Sequence, residues 1–333
     1  MSDIDWPYDK RQASAVFLSR LRAADGDRPA VRCPGPVLFL IARRMDALAP
    51  CLGEMQKAEK QETMNTVIVV GHVNHDQVWS LSSPLASGAR ITYFDRTVRL
   101  GGGGFHTGTQ LARLGNDVKL VSNLMDDDHG RAALATLKAT GIDVSGVAMW
   151  AGATQFTEIM LEPNGERTIL NTSGQLRPAF AVSAPVSGDA AYLNALLLDD
   201  SVIASLETIP LVISQFPLRR HSPRPADIVI GSRADFPDED THGIWARASL
   251  IAGPRMRTLV LTDGTRPISL YDGKVLSQVT PLKQVSVPDT IGAGDCFTGI
   301  FLHGLLQGAS LEISAEQASQ QTAEWLSERQ LTG

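Results

Sequence analysis

Asp289-Thr290-Ile291-Gly292-Ala293-Gly294-Asp295 runs directly into Cys296-Phe297-Thr298-Gly299-Ile300-Phe301-Leu302, and the junction between the two organises the reading of this chain. The second stretch is apolar and helix-like, so the first lies just ahead of a helix. Glycines before a helix let backbone N–H groups converge on an anion, and the helix dipole adds partial positive charge there. Such a turn cradles a phosphoryl group. Asp295 falls in the first helical turn, where a carboxylate can accept a proton from an attacking hydroxyl while N–H groups hold the transferring group. A plain helix cap, common for Asp, accounts for the same residue equally well.

Other segments must therefore decide. Gly101-Gly102-Gly103-Gly104-Phe105-His106 enters a helix predicted for residues 107–114. Consecutive glycines suit a backbone that approaches a ligand closely, or a flexible exit from a hairpin. Gly71-His72-Val73-Asn74-His75-Asp76 reads as the carboxyl end of the first core strand, where α/β sheets bind ligands. Asn74 and Asp76 then share one side of the chain, although both are also ordinary turn residues. The glycine run follows a β-rich stretch rather than the first core strand, so it is no dinucleotide fingerprint. Gly-x-x-x-x-Gly-Lys-Ser/Thr does not occur. An NAD-dependent oxidoreductase and a P-loop enzyme are thereby set aside.

Apolar runs at 67–70, 118–121, 211–213, 227–230 and 258–261 read as buried strands, with helices predicted at 107–114, 130–139 and 242–251. That alternation predicts a doubly wound α/β fold, a mostly parallel sheet with helices on both faces. Two β-rich segments, near 77–100 and 154–171, break the rhythm and are expected to form a small β lid; the second turns at Pro163-Asn164-Gly165. Residues 1–64 differ again, being helix-friendly and arginine-rich, with 10 Lys and Arg against 9 Asp and Glu. They read as a helical or disordered extension, or as sequence ahead of a true start at Met64. The second is favoured, because residue 66 already opens a core strand.

With 333 residues, 43% hydrophobic and 20% charged, the chain is expected to be a soluble globular protein of one large or two smaller domains. A net charge of −6 argues against nucleic acid or an anionic membrane surface as partner. Cys33, Cys51 and Cys296 have neither metal-ligand spacing nor disulfide density. The longest apolar run, 37–41, is too short for a membrane span and too far from Met1 for a usual signal peptide. A cytoplasmic location is expected. His72 and His75 are close, but the strand end offers no third zinc ligand.

Together and in this order the pieces resemble the ribokinase family, the PfkB-type carbohydrate kinases, from residue 66 to the C-terminus. Residues 289–295 look like that family's C-terminal signature. The stretch from Gly101 to Ala112-Arg113-Leu114-Gly115 looks like its N-terminal one. Asp126-Asp127-Asp128-His129-Gly130, Thr140-Gly141-Ile142-Asp143 and Asn164-Gly165-Glu166-Arg167-Thr168-Ile169 add weaker matches. The resemblance implies a kinase domain over 65–333 that transfers the γ-phosphoryl of ATP to a sugar hydroxyl with Mg2+. Carried over by position, Asp295 is the base and Gly292, Ala293 and Gly294 the anion hole. Asn74, Asp76, Gly102, Gly103, His106 and Glu166 fall at the sugar. Ser232, Thr262, Gly264 and Thr290 fall at the nucleotide, and Asp235 at the metal. Lids of this family can pair between subunits, which implies a homodimer.

Departures limit the acceptor. Ribokinases proper carry Lys and Asn where this chain has Gly103 and His106, so ribose is not the expected substrate. A phosphorylated sugar is mildly disfavoured too, although Arg90, Arg96 and Arg99 on the lid offer charge. Ser232 and Asp235 stand in an element that is Asn-x-x-Glu in many members. Asp289 and Ile291 match two positions of a monovalent-cation site whose remaining ligands are missing or changed, so weak or absent K+ dependence is expected. A nucleoside acceptor needs an apolar or aromatic surface, for which Phe94 and Phe105 are the candidates. A catalytically weak sugar-binding or regulatory protein is the alternative from another class.

Overall fold

Strand β1 (Thr66–Gly71) feeds two cores at once: Val67 and Val69 point to one face of the sheet, Ile68 and Val70 to the other. Burial on both faces is what a central parallel strand requires, and it explains the unbroken apolar run. The computed structural model describes residues 64–172, 178–219, 221–285 and 287–332. Residues 1–63 lie outside these, and with them all but Met64 of the extension expected at 1–64.

Around β1 the described residues build a nine-stranded sheet ordered β13-β12-β11-β10-β9-β8-β1-β4-β5. The other strands are β4 (Asp117–Met125), β5 (Asp143–Trp150), β8 (Ala190–Asn194), β9 (Leu211–Gln215), β10 (Ile228–Ser232), β11 (Thr258–Asp263), β12 (Arg266–Tyr271) and β13 (Leu276–Val279). Neighbours from β11 to β5 pair in parallel; β12 and β13 close the edge antiparallel. Helices α1 (Gly103–Arg113), α2 (Asp128–Ala139), α5 (Ala293–Leu306) and α6 (Leu311–Thr332) cover one face. The other face is covered by α3 (Asp200–Leu206) and α4 (Thr241–Ala252). Fully buried side chains such as Ile68, Leu120 and Leu193 each contribute roughly 1.5–3 kcal/mol. This is the doubly wound α/β fold expected from the alternation of strands and helices. No helix among the described residues is long and apolar enough to cross a membrane.

A separate four-stranded sheet, β3-β2-β6-β7, forms the lid. Its strands are β2 (Asn74–Leu81), β3 (Tyr93–Gly101), β6 (Phe156–Leu161) and β7 (Arg167–Leu170). Val78, Ile159 and Leu161 pack with Ile291, so the lid rests on the turn that precedes α5. One expectation is corrected here: Asn74 and Asp76 do not end the first core strand. The chain leaves the main sheet at His72-Val73, and both residues belong to the first strand of the lid.

Candidate active site

Three helices are capped in the ordinary way. Asp127 accepts from the Gly130 N–H at 2.9 Å, Asp199 from Ser201 at 2.9 Å and Asp240 from Gly243 at 2.7 Å. Helices α1 and α5 differ: their N-caps are Gly102 and Gly292, at φ 82° and 83°, with no side-chain cap. A helix start has four N–H groups without intrahelical partners, and an uncapped start keeps them for another acceptor. In α1 the Gly104 N–H reaches the His72 carbonyl at 2.9 Å. A Cβ on Gly71 would lie 2.8 Å from the Gly104 nitrogen, so this close approach of helix to strand end requires glycine. In α5 the Ala293 N–H already donates to Thr290 O at 3.1 Å. Of the three amides expected at an anion hole, those of Gly292 and Gly294 remain without a backbone acceptor among the described residues.

Asp295 is the third residue of α5 and does not cap it. Its Oδ1 instead accepts from the Tyr192 hydroxyl at 3.3 Å, and that hydroxyl accepts from Asn194 Nδ2 at 3.3 Å. Thr107 on α1 donates to the Asp295 carbonyl at 3.0 Å, tying the two glycine-started helices together. Burial lifts the Asp295 carboxyl to about 6; the Tyr192 hydrogen bond and the Arg167 charge restrain the rise, and the Asp76 charge adds to it. Burial also drives the Tyr192 phenol well above its ordinary value, with the Asp295 charge adding to the rise, so Tyr192 stays a donor.

Asp76 is 4% exposed, and Oδ1 of its carboxylate has no hydrogen-bond partner. Burial raises this group to about 6 as well, opposed by the charge of Arg99. It fits only because residue 101 is glycine: a Cβ there would lie 1.8 Å from Asp76 Oδ2. Asn74 pairs with Gly101 across the lid ladder, and its Nδ2 lies 3.2 Å from where a Gly102 Cβ would stand. Gly103 packs on Asn194, whose Cγ would be 2.4 Å from an added Cβ. Asn74, Asp76, the glycine run and Asn194 thus share one neighbourhood, and the Asp76 charge is felt at Asp295.

Two residues expected at the acceptor, His106 and Glu166, have surroundings of their own. The His106 ring lies under the turn, where an added Gly292 Cβ would come within 3.0 Å of it. It lines a cavity of about 570 Å3 together with Thr109, Gln110, Cys296, Trp325 and Arg329. Burial, then the charges of Arg329 and Arg99, lower its pKa to about 4, so the imidazole is neutral. Glu166 is exposed at the tip of the lid turn. The next residue, Arg167, reaches inward instead: its Nη1 donates to Thr290 Oγ1 at 3.0 Å, and its charge is felt at both Asp295 and Asp235.

Farther along the sheet, Ser232 and Thr262 are register partners at the carboxyl ends of β10 and β11. Gly264 follows in the turn after β11, at φ 60°. Asp235 ends a short 3-10 turn behind Ser232, and burial raises its carboxyl.

Tyr192, Asn194, Arg167 and Arg329 were not anticipated. Ala190-Ala191-Tyr192-Leu193-Asn194 is too short and alanine-rich to read as a strand, yet β8 lies beside β1 at the centre of the sheet. Its location after a loop and before a capped helix was the available signal. Arg167 stands next to Glu166 in the lid motif, and its cationic side chain beside the turn was the available signal.

The profile of the pfkB family carbohydrate kinases matches residues 64–211 and 231–331. A ribokinase of Lactococcus lactis is 24% identical over 275 residues, covering 77% of this chain and 88% of its own. A cytidine kinase of Thermococcus kodakarensis is 24% identical over 290 residues, covering 79% and 98%. The crystal structure of Thermotoga maritima ribokinase superposes with a TM-score of 0.61 at 18% identity, covering 79% of this chain and 93% of the other. With the ribokinase fold, two glycine-started helices meeting at Asp295, and a family match over most of its length, this chain belongs to the pfkB carbohydrate kinase family and is an ATP-dependent kinase.

Proposed function

We propose that the chain transfers the γ-phosphoryl group of ATP to a hydroxyl of a small, unphosphorylated sugar or sugar-like molecule. The observation that carries this reading is Asp295: a half-buried carboxylate at an uncapped helix start, used by no cap and raised to about 6. A general base works best with a pKa near the operating pH. Asp295 takes the proton of the acceptor hydroxyl as the oxygen attacks phosphorus, and the N–H groups of Gly292 and Gly294 receive the charge developing on the phosphoryl oxygens. Asp76 and Asn74 hold other hydroxyls of the acceptor; the partnerless Asp76 oxygen supports a donor ligand there. Arg167 on the lid lies over Thr290 and faces the same phosphoryl group.

The nucleotide lies along Ser232, Thr262 and Gly264. Asp235 fits a magnesium ion carried in with ATP, because the residue is exposed in the short turn that follows Ser232 and one or two carboxylates suffice when water and phosphate supply the other ligands. Bound there, the ion would neutralise phosphate charge.

A sugar is favoured over a nucleoside because neither candidate aromatic stands by Asp76. Phe94 is 76% exposed near the outer end of β3, and Phe105 packs against the helical core. ADP release measured across sugars, sugar phosphates and nucleosides tests the reading. Turnover of an unphosphorylated sugar is expected, and turnover confined to nucleosides or sugar phosphates would sink the acceptor assignment.

Tyr192→Phe gives a pH signature. The acid limb of kcat/KM is expected near pH 6, with activity present above it and lost below as the base protonates. Asp295 and Asp76 are coupled there, so the apparent value belongs to the pair. Removing the phenol takes away a bond that holds the Asp295 carboxyl down. The limb should move to higher pH and kcat should fall about ten-fold; an unmoved limb would exclude Tyr192 from tuning the base.

A further inference from the structure

The two ends of a trans peptide point in opposite directions, which makes the contacts of the Ile291 carbonyl informative about the Gly292 N–H. Arg329, near the end of α6, donates through Nη1 to Ile291 O at 2.7 Å and through Nη2 to Asp289 Oδ2 at 2.8 Å. With the carbonyl held toward the guanidinium, the Gly292 N–H is aimed away from it, toward the open start of α5. Arg99 of the lid adds a second donor to the same Asp289 oxygen at 2.7 Å, and Asp289 Oδ1 accepts from the Ile291 N–H at 2.9 Å. The Arg329 guanidinium carbon also lies 4.5 Å over the Trp325 ring one turn earlier in α6, an arrangement that fixes its plane.

We propose that Arg329 is a positioning residue for phosphoryl transfer: a tethered cation behind the turn that locks the Ile291–Gly292 peptide and sets the direction of the Gly292 amide. This rests on the reading of that turn as the anion hole. A carbonyl and a carboxylate drawn together in a half-buried corner need a positive charge between them. A planar guanidinium supplies it with two donors at fixed spacing, whereas an ammonium is a single point. Because the charge is built into α6, the turn has no need of a dissolved monovalent cation. The aimed amide is used in the transition state, so its loss falls on kcat rather than on acceptor KM.

The test compares wild type, Arg329→Ala, Arg329→Lys and Asp295→Asn, using ATP and whichever acceptor wild type turns over. Tetramethylammonium is the monovalent cation unless K+ or millimolar guanidinium is added. Arg329→Ala is expected to lose about 100-fold in kcat, the scale of one lost anion-hole donor, with acceptor KM within two-fold. Added guanidinium should restore at least ten-fold of that loss, and should restore nothing in Asp295→Asn. Wild type should run equally fast in all three salts. Arg329→Lys, which keeps the charge but not the fork, should lie between wild type and Arg329→Ala; it remains decisive if the alanine variant fails to fold. Wild-type kcat in Arg329→Lys, no rescue of Arg329→Ala, or many-fold activation of wild type by K+ would each overturn the proposal. Near-normal turnover by Asp295→Asn would instead bring down the reading of the turn itself.

Discussion

Asp295→Asn is expected to lower kcat by about 10^3- to 10^4-fold, within the range attributed to a positioned base, while ATP affinity stays within a few-fold. Asparagine keeps the shape and still accepts the Tyr192 hydrogen bond, so the loss reports the missing proton acceptor rather than a rearranged turn. The same substitution should make the protein more stable at pH 8. A carboxyl raised to about 6 in the fold holds its proton more tightly there than in the unfolded chain. Native stability therefore falls as pH rises from about 4 through 6, and the cost is complete above that range. The shift corresponds to roughly 1–3 kcal/mol. Thermal unfolding should show a higher Tm for the variant at pH 8 and a difference that shrinks toward pH 4.5. Equal Tm values at pH 8 would mean that the carboxylate is not desolvated, and turnover near wild type would remove Asp295 from the chemistry.

This trade of stability for function explains why the centre of the site was legible in the sequence while its surroundings were not. Residues 289–295 announce themselves because glycines, a carboxylate and an apolar helix are contiguous, and β1 does so because a strand buried on both faces must be apolar throughout. The helix after the glycine run was expected from 107 but begins at Gly103, since Gly103 and Gly104 form its first turn, pressed against Asn194 and the end of β1. Propensity disfavours glycine inside a helix, and tertiary packing overrides it. Tyr192 lies 103 positions from Asp295 and Arg329 lies 40 from Asp289; no local pattern encodes such pairs. The surroundings of His106 and Glu166 are hidden from the sequence for a related reason. A family position identifies a Cα, but burial beneath Gly292 in one case and exposure at a turn tip in the other decide what the side chain meets.

Asp76→Ala is expected to lower kcat/KM for the acceptor by about 10^2- to 10^3-fold, mostly through KM, with the KM for ATP within two-fold. A buried carboxylate that meets acceptor hydroxyls makes charge-assisted hydrogen bonds of about 1.5–3 kcal/mol each, and two bonds near the lower end of that scale, together about 3–4 kcal/mol, give that range. Gly101→Ala should reproduce much of the loss without removing any functional group. Its methyl would fall 1.8 Å from Asp76 Oδ2 and 2.6 Å from the carboxylate carbon. The carboxylate is walled in at 4% exposure, so it has to swing out of the position in which it faces the acceptor. The pair of variants separates two roles for Asp76. If it binds substrate, both should weaken acceptor binding, and both should leave bound ATP undisturbed in calorimetry. If it serves only to hold β2 against β3, both should lower Tm by several degrees and leave acceptor KM unchanged. The burial that raises this carboxyl to about 6 also makes a purely structural role costly, because an unpartnered buried oxygen destabilises the fold by about 1–3 kcal/mol. Asp76→Ala is therefore expected to keep or raise the wild-type Tm while abolishing tight acceptor binding.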